Sequence, residues 1–373
     1  MSTNFPSVFA VNKSYQIFVP AAEPSLMWVK VGDRCYYDHS NGILRSNTIL
    51  HKVTVPLNAL DEAGEYTVCT RKIIERKPYF PTAEDVVEAT YRFRPLRGDS
   101  FRVYHISDSH NMVDMPIAAA DVFGNIDLLV LNGDVPNHSG AIENFMSIYE
   151  ISGRVTKGEI PCIFSRGNHD MRGFYAENIA DYTPTDGGRS YFTFRLGSLW
   201  GIVLDCGEDK PDTNAEYGGT ICCHEFRLEQ TEFIKNVIAN AENEYLAEGV
   251  THRVVIAHNP FTKAIGSPFD IERELFGEWA RLLKNEIKPE VFLAGHFHAL
   301  CVEYPGADTD ALGHPCPIVI GGISVYEKVC VDGHSKYREV YFGGAGFDFS
   351  PSEINVTFTN SREGIIRSEK IKL

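Results

Sequence analysis

Residues 101–134 read FRVYHISDSHNMVDMPIAAADVFGNIDLLVLNGD, and this stretch decides the fold. Two apolar runs of strand length, VYHIS (103–107) and IDLLVLN (126–132), each end in residues that carry chemistry. The first runs into Asp108-Ser109-His110 and the second into Asn132-Gly133-Asp134. The arrangement repeats downstream. PCIFS (161–165) runs into Arg166-Gly167-Asn168-His169-Asp170, RVVIA (253–257) ends at His258, and EVFLA (290–294) ends in Gly295-His296-Phe297-His298. Five apolar segments deliver a potential ligand or acid at the carboxyl end, where open α/β sheets build their sites.

Helical sequence lies between these runs. SGAIENFMSIYEISGRV (139–155) is one such stretch, and IERELFGEWARLLKN (271–285) is another. LWGIVLD (199–205) precedes HEFRLEQTEFIKNVIANAENEYL (224–246), where Phe226, Phe233, Ile234, Val237, Ile238 and Tyr245 recur at roughly helical spacing. Strands alternating with helices predict an α/β architecture. Residues 1–97 read differently: SYQIFVP, LMWVKV, CYYD, HKVTVPL, EYTVCTRKI and ATYRFRP are short alternating segments separated by turn clusters. They predict a small N-terminal β-sandwich domain, with RPLRGDS (94–100) as linker and 98–373 as the catalytic domain. After residue 300 the chain turns to strands again, in PIVIGG, VYEKVCV, YREVYFG and EINVTFT. GGAGF (343–347) lacks the strand–GxGxxG–helix setting of a nucleotide loop and reads as a turn between strands.

Carboxylate and imidazole ligands without a thiolate suit Mn, Fe, Zn or related divalent ions. Asp-x-His and His-x-His on extended chain place both ligands on one side. Gly133, Gly167 and Gly295 stand just before ligands, where a missing Cβ permits close approach. Each fragment alone has an ordinary reading as a turn or a solvated edge. Taken in order, on strands, they form a set.

The set resembles the calcineurin-like metallophosphoesterase family, whose blocks are D-x-H, G-D, G-N-H-[DE], a His after a strand, and G-H-x-H. All stand in order over roughly 101–300. The N-terminal β region is similar to that of purple acid phosphatases, which place a sandwich before this catalytic domain. The resemblance implies two central mixed β-sheets flanked by helices, preceded by the small all-β sandwich. It also implies two divalent metal ions, with Asp108, His110 and His298 on one, Asn168, His258 and His296 on the other, and Asp134 bridging. His169 would be the non-ligand acid near the leaving group, and Asp170 would help orient it. The sequence departs from the purple enzymes at one place: their metal-ligand Tyr, three residues after the G-D aspartate, is here Asn137. A colourless Mn, Zn or Fe(II) pair is therefore the expectation.

Two cations about 3.5–4 Å apart can share a water and lower its pKa, which gives phosphate-ester hydrolysis by a metal-bridging hydroxide. The alternative is a non-catalytic metal-binding scaffold whose β-sandwich binds a partner. Loss of a ligand would mark it, and all seven ligands and His169 are present. Arg166 and Arg172 flank the GNHD block and are candidate phosphate clamps, weighed against surface salt bridges. His138 is a candidate substrate contact, weighed against a solvated loop. Selectivity is expected from loops near 112–118, 138–145, 172–190 and 208–222.

The net charge of −15 argues against a nucleic-acid backbone as main partner. A small phosphate ester is the expected substrate. Nine cysteines, odd in number and without a CxxC spacing, predict reduced thiols in a cytoplasmic protein. Cys222 and Cys223 read as two small buried residues before a helix. No secretory leader pattern or membrane-spanning apolar stretch is present in the sequence.

Overall fold

The structure, a computed structural model, describes residues 5–331 and 334–373. Its strands form where the chain is apolar on both faces. In the parallel strands Phe101–Ile106, Leu128–Asn132 and Cys162–Ser165, the residues Val103, Val130 and Ile163 face one core. Their neighbours Tyr104, Leu129, Leu131 and Phe164 face another, against helices Asp114–Phe123 and Met146–Thr156. A second parallel set, Leu199–Val203, His252–Ile256 and Val291–Ala294, is built the same way. Val203, Val254 and Leu293 point inward, while Ile202, Val255 and Phe292 pack on helices Cys223–Ala239 and Arg273–Leu282. The result is helix, sheet, sheet, helix. Period-2 alternation along each strand feeds the two cores, which is why the runs read as continuously apolar.

Packing makes two sheet layers, but hydrogen bonding makes one 15-stranded sheet. The long strands Ile318–Val331 and His334–Phe349 pair antiparallel with each other. The first also pairs with Val291–Ala294 and the second with Phe101–Ile106, so the sheet folds over itself. PIVIGG and VYEKVCV thus fall in one strand. The expected turn at GGAGF is wrong as well: Gly343–Phe347 lie inside the strand His334–Phe349. Its glycines answer to close approach. A Cβ at Gly344 would meet the Tyr104 hydroxyl at 2.4 Å, and one at Gly346 the Phe123 ring at 2.3 Å.

The N-terminal residues are all-β apart from helix Leu57–Ala63. They form two layers, but one is not separate from the rest. Strands Ser7–Val11, Ser14–Pro20 and Leu50–Pro56 continue the large sheet, with Ser7–Val11 pairing parallel to Cys162–Ser165. The other layer comprises Arg34–Tyr37, Ser25–Val31, Glu65–Glu75 and Val87–Arg92, with the short strand Thr82–Ala83 also paired to Glu65–Glu75. Its Met27, Val29 and Val68 join the same core as Val130 and Leu293. The strand pairing therefore does not break at residue 97. Buried Val8, Ala10 and Ile17 need cover, and the catalytic layers supply part of it.

Eight cysteines are free, among them exposed Cys222 and buried Cys223, so only the second matches the buried pair expected there. Cys330 lies outside the residues whose side chains are described. Among the described residues, no helix is long and apolar enough to cross a membrane.

Candidate metal centre

The strand ends converge where the two layers meet. Asp108, His110 and His298 bring ligand atoms within 4.8 Å of one another, and so do Asp134, His258 and His296. Asn168 joins the second group, with Oδ1 3.1 Å from His296 Nδ1. His258 Nε2 lies 3.1 Å from Asp134 Oδ2 and 3.8 Å from Asp108 Oδ1, which ties the groups together. His110 and His298 face each other, Nε2 to Nε2, at 3.1 Å. All seven residues expected as ligands are therefore in one place.

The ligands do not sit on extended chain as expected. Asp108 (φ 57°), His110 (46°), Asp134 (53°), His296 (69°) and His298 (49°) all occupy the left-handed region. Non-glycine residues enter that region at a cost, and such residues gather at functional sites. Each turn folds the chain back at the end of its strand and aims the side chain inward. Glycine makes room beside them: a Cβ at Gly133 would lie 2.6 Å from the His258 ring.

Cross-layer hydrogen bonds hold the turns. The Asn132 amide donates to the carbonyls of Ala257 (3.3 Å) and Leu293 (3.0 Å). The His296 backbone N–H donates to Asp108 Oδ2 at 2.9 Å. His258 Nδ1 lies 2.8 Å from the Asn132 carbonyl. That carbonyl can only accept, so Nδ1 carries the proton and Nε2 points at the carboxylates.

Burial and charge oppose each other here. Burial pushes the His258 imidazolium down, but the carboxylates of Asp134 and Asp108 outweigh it and raise its pKa to about 10. Asp134 is held below the usual carboxylate range: burial opposes this, and His258 beside it prevails. Burial raises Asp108 and lowers His110 to about 3. It also lowers His296 to about 4, with His258 adding to the effect. Buried carboxylates, amide oxygen and imidazole nitrogens crowded together fit divalent cations. Asp108 and Asp134 are almost wholly inaccessible to water, so a cation would replace protons in satisfying them.

His169 stands beside the ligands, its ring centroid 4.7 Å from that of His110. Its backbone N–H donates to Asp134 Oδ1 at 2.8 Å. Nδ1 donates to the Asn137 carbonyl at 2.9 Å, and Nε2 accepts from Arg172 Nη1 at 3.4 Å. Asp170 does something other than orient His169. Its Oδ2 accepts from the backbone N–H of Gly167 (2.6 Å) and of Asp134 (3.2 Å), clamping the two turns together. Burial, then the Asp134 charge, raises its pKa to about 8.

An open cavity of ≈ 390 Å³ borders His169, His296 and His298. Arg172 lines it; Arg166 and His138 do not. Arg166 Nε lies 2.5 Å from Asp205 Oδ2, with the guanidinium over the Phe226 ring, so it serves a buried ion pair. Exposed His138 accepts from the Gly140 N–H at 3.0 Å and caps its own turn. Asp209, Lys210, Ile265, Phe269 and Phe297 complete the wall. Of the four loops expected to set selectivity, 172–190 (Arg172) and 208–222 (Asp209, Lys210) line the cavity, whereas 112–118 and 138–145 do not. Glu208 and Asp209 follow the strand Leu199–Val203, a sixth carboxyl end whose acidic sequence carried the same signal. Ile265 and Phe269 had none, being two apolar residues in an irregular loop.

A family model described as calcineurin-like phosphoesterase matches residues 101–300. The fold is similar to that of a purple acid phosphatase isolated from yellow lupin (Lupinus luteus) seeds, with a TM-score of 0.60 and 13% identity over 98% of this chain and 74% of that one. It is also similar to PhoD, with a TM-score of 0.54 and 11% identity over 99% of this chain and 90% of that one. At such identities the likeness speaks to fold alone. No curated protein matches the sequence.

Proposed function

The chain belongs to the calcineurin-like phosphoesterase family and is a metal-dependent phosphoesterase; from that premise we propose that two divalent cations serve its reaction. The observation that carries the proposal is the position of Asp134. Its carboxylate is shared between a group with His258 and His296 and a group with His110 and His169, while Asp108, His110 and His298 form a third group alongside. Asp108, His110 and His298 would hold one ion, Asn168, His258 and His296 the other, and Asp134 both. When bound, the ions would supply Lewis-acid stabilisation of phosphoryl charge and lower the pKa of a nucleophilic water.

The rest falls to the chain's own groups. His169 would donate a proton from Nε2 to the departing oxygen, with Nδ1 fixed to the Asn137 carbonyl; carrying that proton gives up the long 3.4 Å contact of Nε2 with Arg172 Nη1. Asp170 would keep the Asp134 and Asn168 turns in register. Asn137 offers no phenolate where purple enzymes have Tyr, which supports Mn, Zn or Fe(II) and a colourless protein. The substrate would be a small phosphate ester, not nucleic acid or membrane. Eight free cysteines favour a cytoplasmic setting.

The test is a metal titration of chelated protein with Mn²⁺, Zn²⁺ and Fe²⁺, following bound metal and hydrolysis of p-nitrophenyl phosphate and bis(p-nitrophenyl) phosphate together. The proposal expects two ions per chain and activity that needs both. Full activity with one ion, or none with all three metals, would overturn it.

A further inference from the structure

Phosphate monoesters and diesters differ in charge. Near neutral pH a monoester carries about 1.5 to 2 negative charges, whereas a diester carries one and has a second carbon arm instead. The wall of the cavity responds differently to the two.

Two fixed cations line the cavity, Arg172 and Lys210, and both are already paired. Arg172 grips Glu208 bidentately, at 2.7 and 2.8 Å, and its Nη1 lies 3.4 Å from Glu216. Lys210 lies 3.0 Å from both Asp209 and Glu216. Three carboxylates, Glu208, Asp209 and Glu216, pair with these two cations, so neither cation has charge to spare. Arg172 is not free to turn away either. Glu208 is 1% exposed, and abandoning it would strand a buried carboxylate. The narrow cleft that continues beneath Phe269 repeats the pattern: Lys263 is bound to Glu303, and Arg273 lies 3.9 Å from Asp270. Beside these pairs the cavity wall is apolar, formed by Ile265, Phe269 and Phe297.

We infer that the substrate is a phosphodiester and that monoesters are disfavoured, a reading that rests on the phosphoesterase activity proposed above. The extra charge of a monoester meets a wall whose two fixed cations are already committed to carboxylates. The second arm of a diester is uncharged and lies on Ile265, Phe269 and Phe297. The metal ions serve the phosphoryl oxygens common to both esters, so the discrimination comes from this wall.

The experiment compares kcat/KM of Mn²⁺-loaded protein for bis(p-nitrophenyl) phosphate and p-nitrophenyl phosphate, in the wild type and in Glu216→Gln. The wild type is expected to favour the diester by on the order of tenfold. Glu216 is 44% exposed and touches both cations, so its neutral variant should fold normally. Partly released, Arg172 and Lys210 should then shift the ratio toward the monoester by about 2–5-fold. A wild type that prefers the monoester, or a ratio unmoved by E216Q, overturns the inference while leaving the phosphoesterase reading intact. If neither ester turns over with Mn²⁺, Zn²⁺ or Fe²⁺, that reading is what fails. Calorimetric binding of the two intact esters then decides the inference: tighter diester binding sustains it and tighter monoester binding overturns it.

Discussion

Replacing Gly167 by Ala should disable the metal centre while leaving the fold in place. A Cβ there would lie 2.2 Å from Asp134 Oδ1 and 2.4 Å from the Asp134 backbone nitrogen. Ordinary contact begins near 3.4 Å, so one side must yield by about 1 Å. Neither side is free to do so. Asp134 Oδ1 accepts from the His169 N–H, and the Asp134 N–H is held by Asp170, which also holds Gly167 itself. The added methyl should cost about 1–3 kcal/mol of stability, as overpacking does. Its larger effect is on geometry: displacing the shared carboxylate by about 1 Å should lower kcat/KM on the order of 100-fold. The assay is bound metal per chain, kcat/KM on bis(p-nitrophenyl) phosphate, and thermal unfolding. Gly277→Ala is the control, since a Cβ at that helical position meets nothing within 4 Å. It should stabilise by about 0.5–1 kcal/mol and leave activity alone. A Gly167→Ala protein with two ions at wild-type affinity and unchanged kcat/KM would refute the placement of Asp134 between both groups.

Three further outcomes are expected. His169→Ala should keep its metals yet lose about 10²–10⁴-fold on esters with poor leaving groups, and far less on activated ones; equal losses would remove its role as acid. Arg166→Ala should unfold more easily by about 3–5 kcal/mol, because it strands buried Asp205, while KM of the folded protein stays put. A raised KM at unchanged stability would make Arg166 a substrate contact after all. Metal affinity should climb by about tenfold per pH unit between about pH 6 and 8, because the ion must displace a proton from His258. The sign follows from a pKa raised from 6.5 to about 10: in the metal-free protein the stabilisation from charged His258 is complete below 6.5 and lost as pH rises through about 10. Metal titrations at several pH values check it, and affinity independent of pH would count against a protonated His258.

The residues that converge on the candidate centre were legible because their signal is local. A strand apolar on both faces, followed within three residues by Asp, Asn or His, survives whatever the rest of the chain does. Asp108, His258 and His296 all have that form. The left-handed turns that aim them were not legible, since Asp-x-His says nothing about the sign of φ at Asp108 or His110. The role of Asp170 was misread for a related reason: adjacency to His169 suggested contact, but the turn sends its carboxylate the other way, to the Gly167 and Asp134 amides. Arg166 and Arg172 look alike in sequence, and only the folded positions of Asp205 and Glu208 separate a buried pair from a cavity wall. The continuation of the large sheet into residues 7–20 was hidden too. It depends on an edge pairing between Phe9 and Cys162, 153 residues apart, and no local pattern encodes such a register.

The turns that hid the ligands also bear on how the site works. Five candidate ligand residues sit in a backbone region that costs on the order of 1–2 kcal/mol apiece outside glycine, so surrounding structure must hold them there. Hydrogen bonds within the protein do so: Asn132 reaches two carbonyls of the opposite layer, His296 donates to Asp108, and Asp170 joins two turns. Each bond lies between segments whose strands belong to the shared core, so each turn is fixed by burial that extends well beyond it. Held this way, Asp134 would stay between the two groups while charge moves at the reacting phosphorus. The fold-over of the sheet is then the device that produces the centre. Two sets of parallel strands, each ending in ligands, are brought face to face by the paired strands Ile318–Val331 and His334–Phe349, and the ligands meet where the layers do.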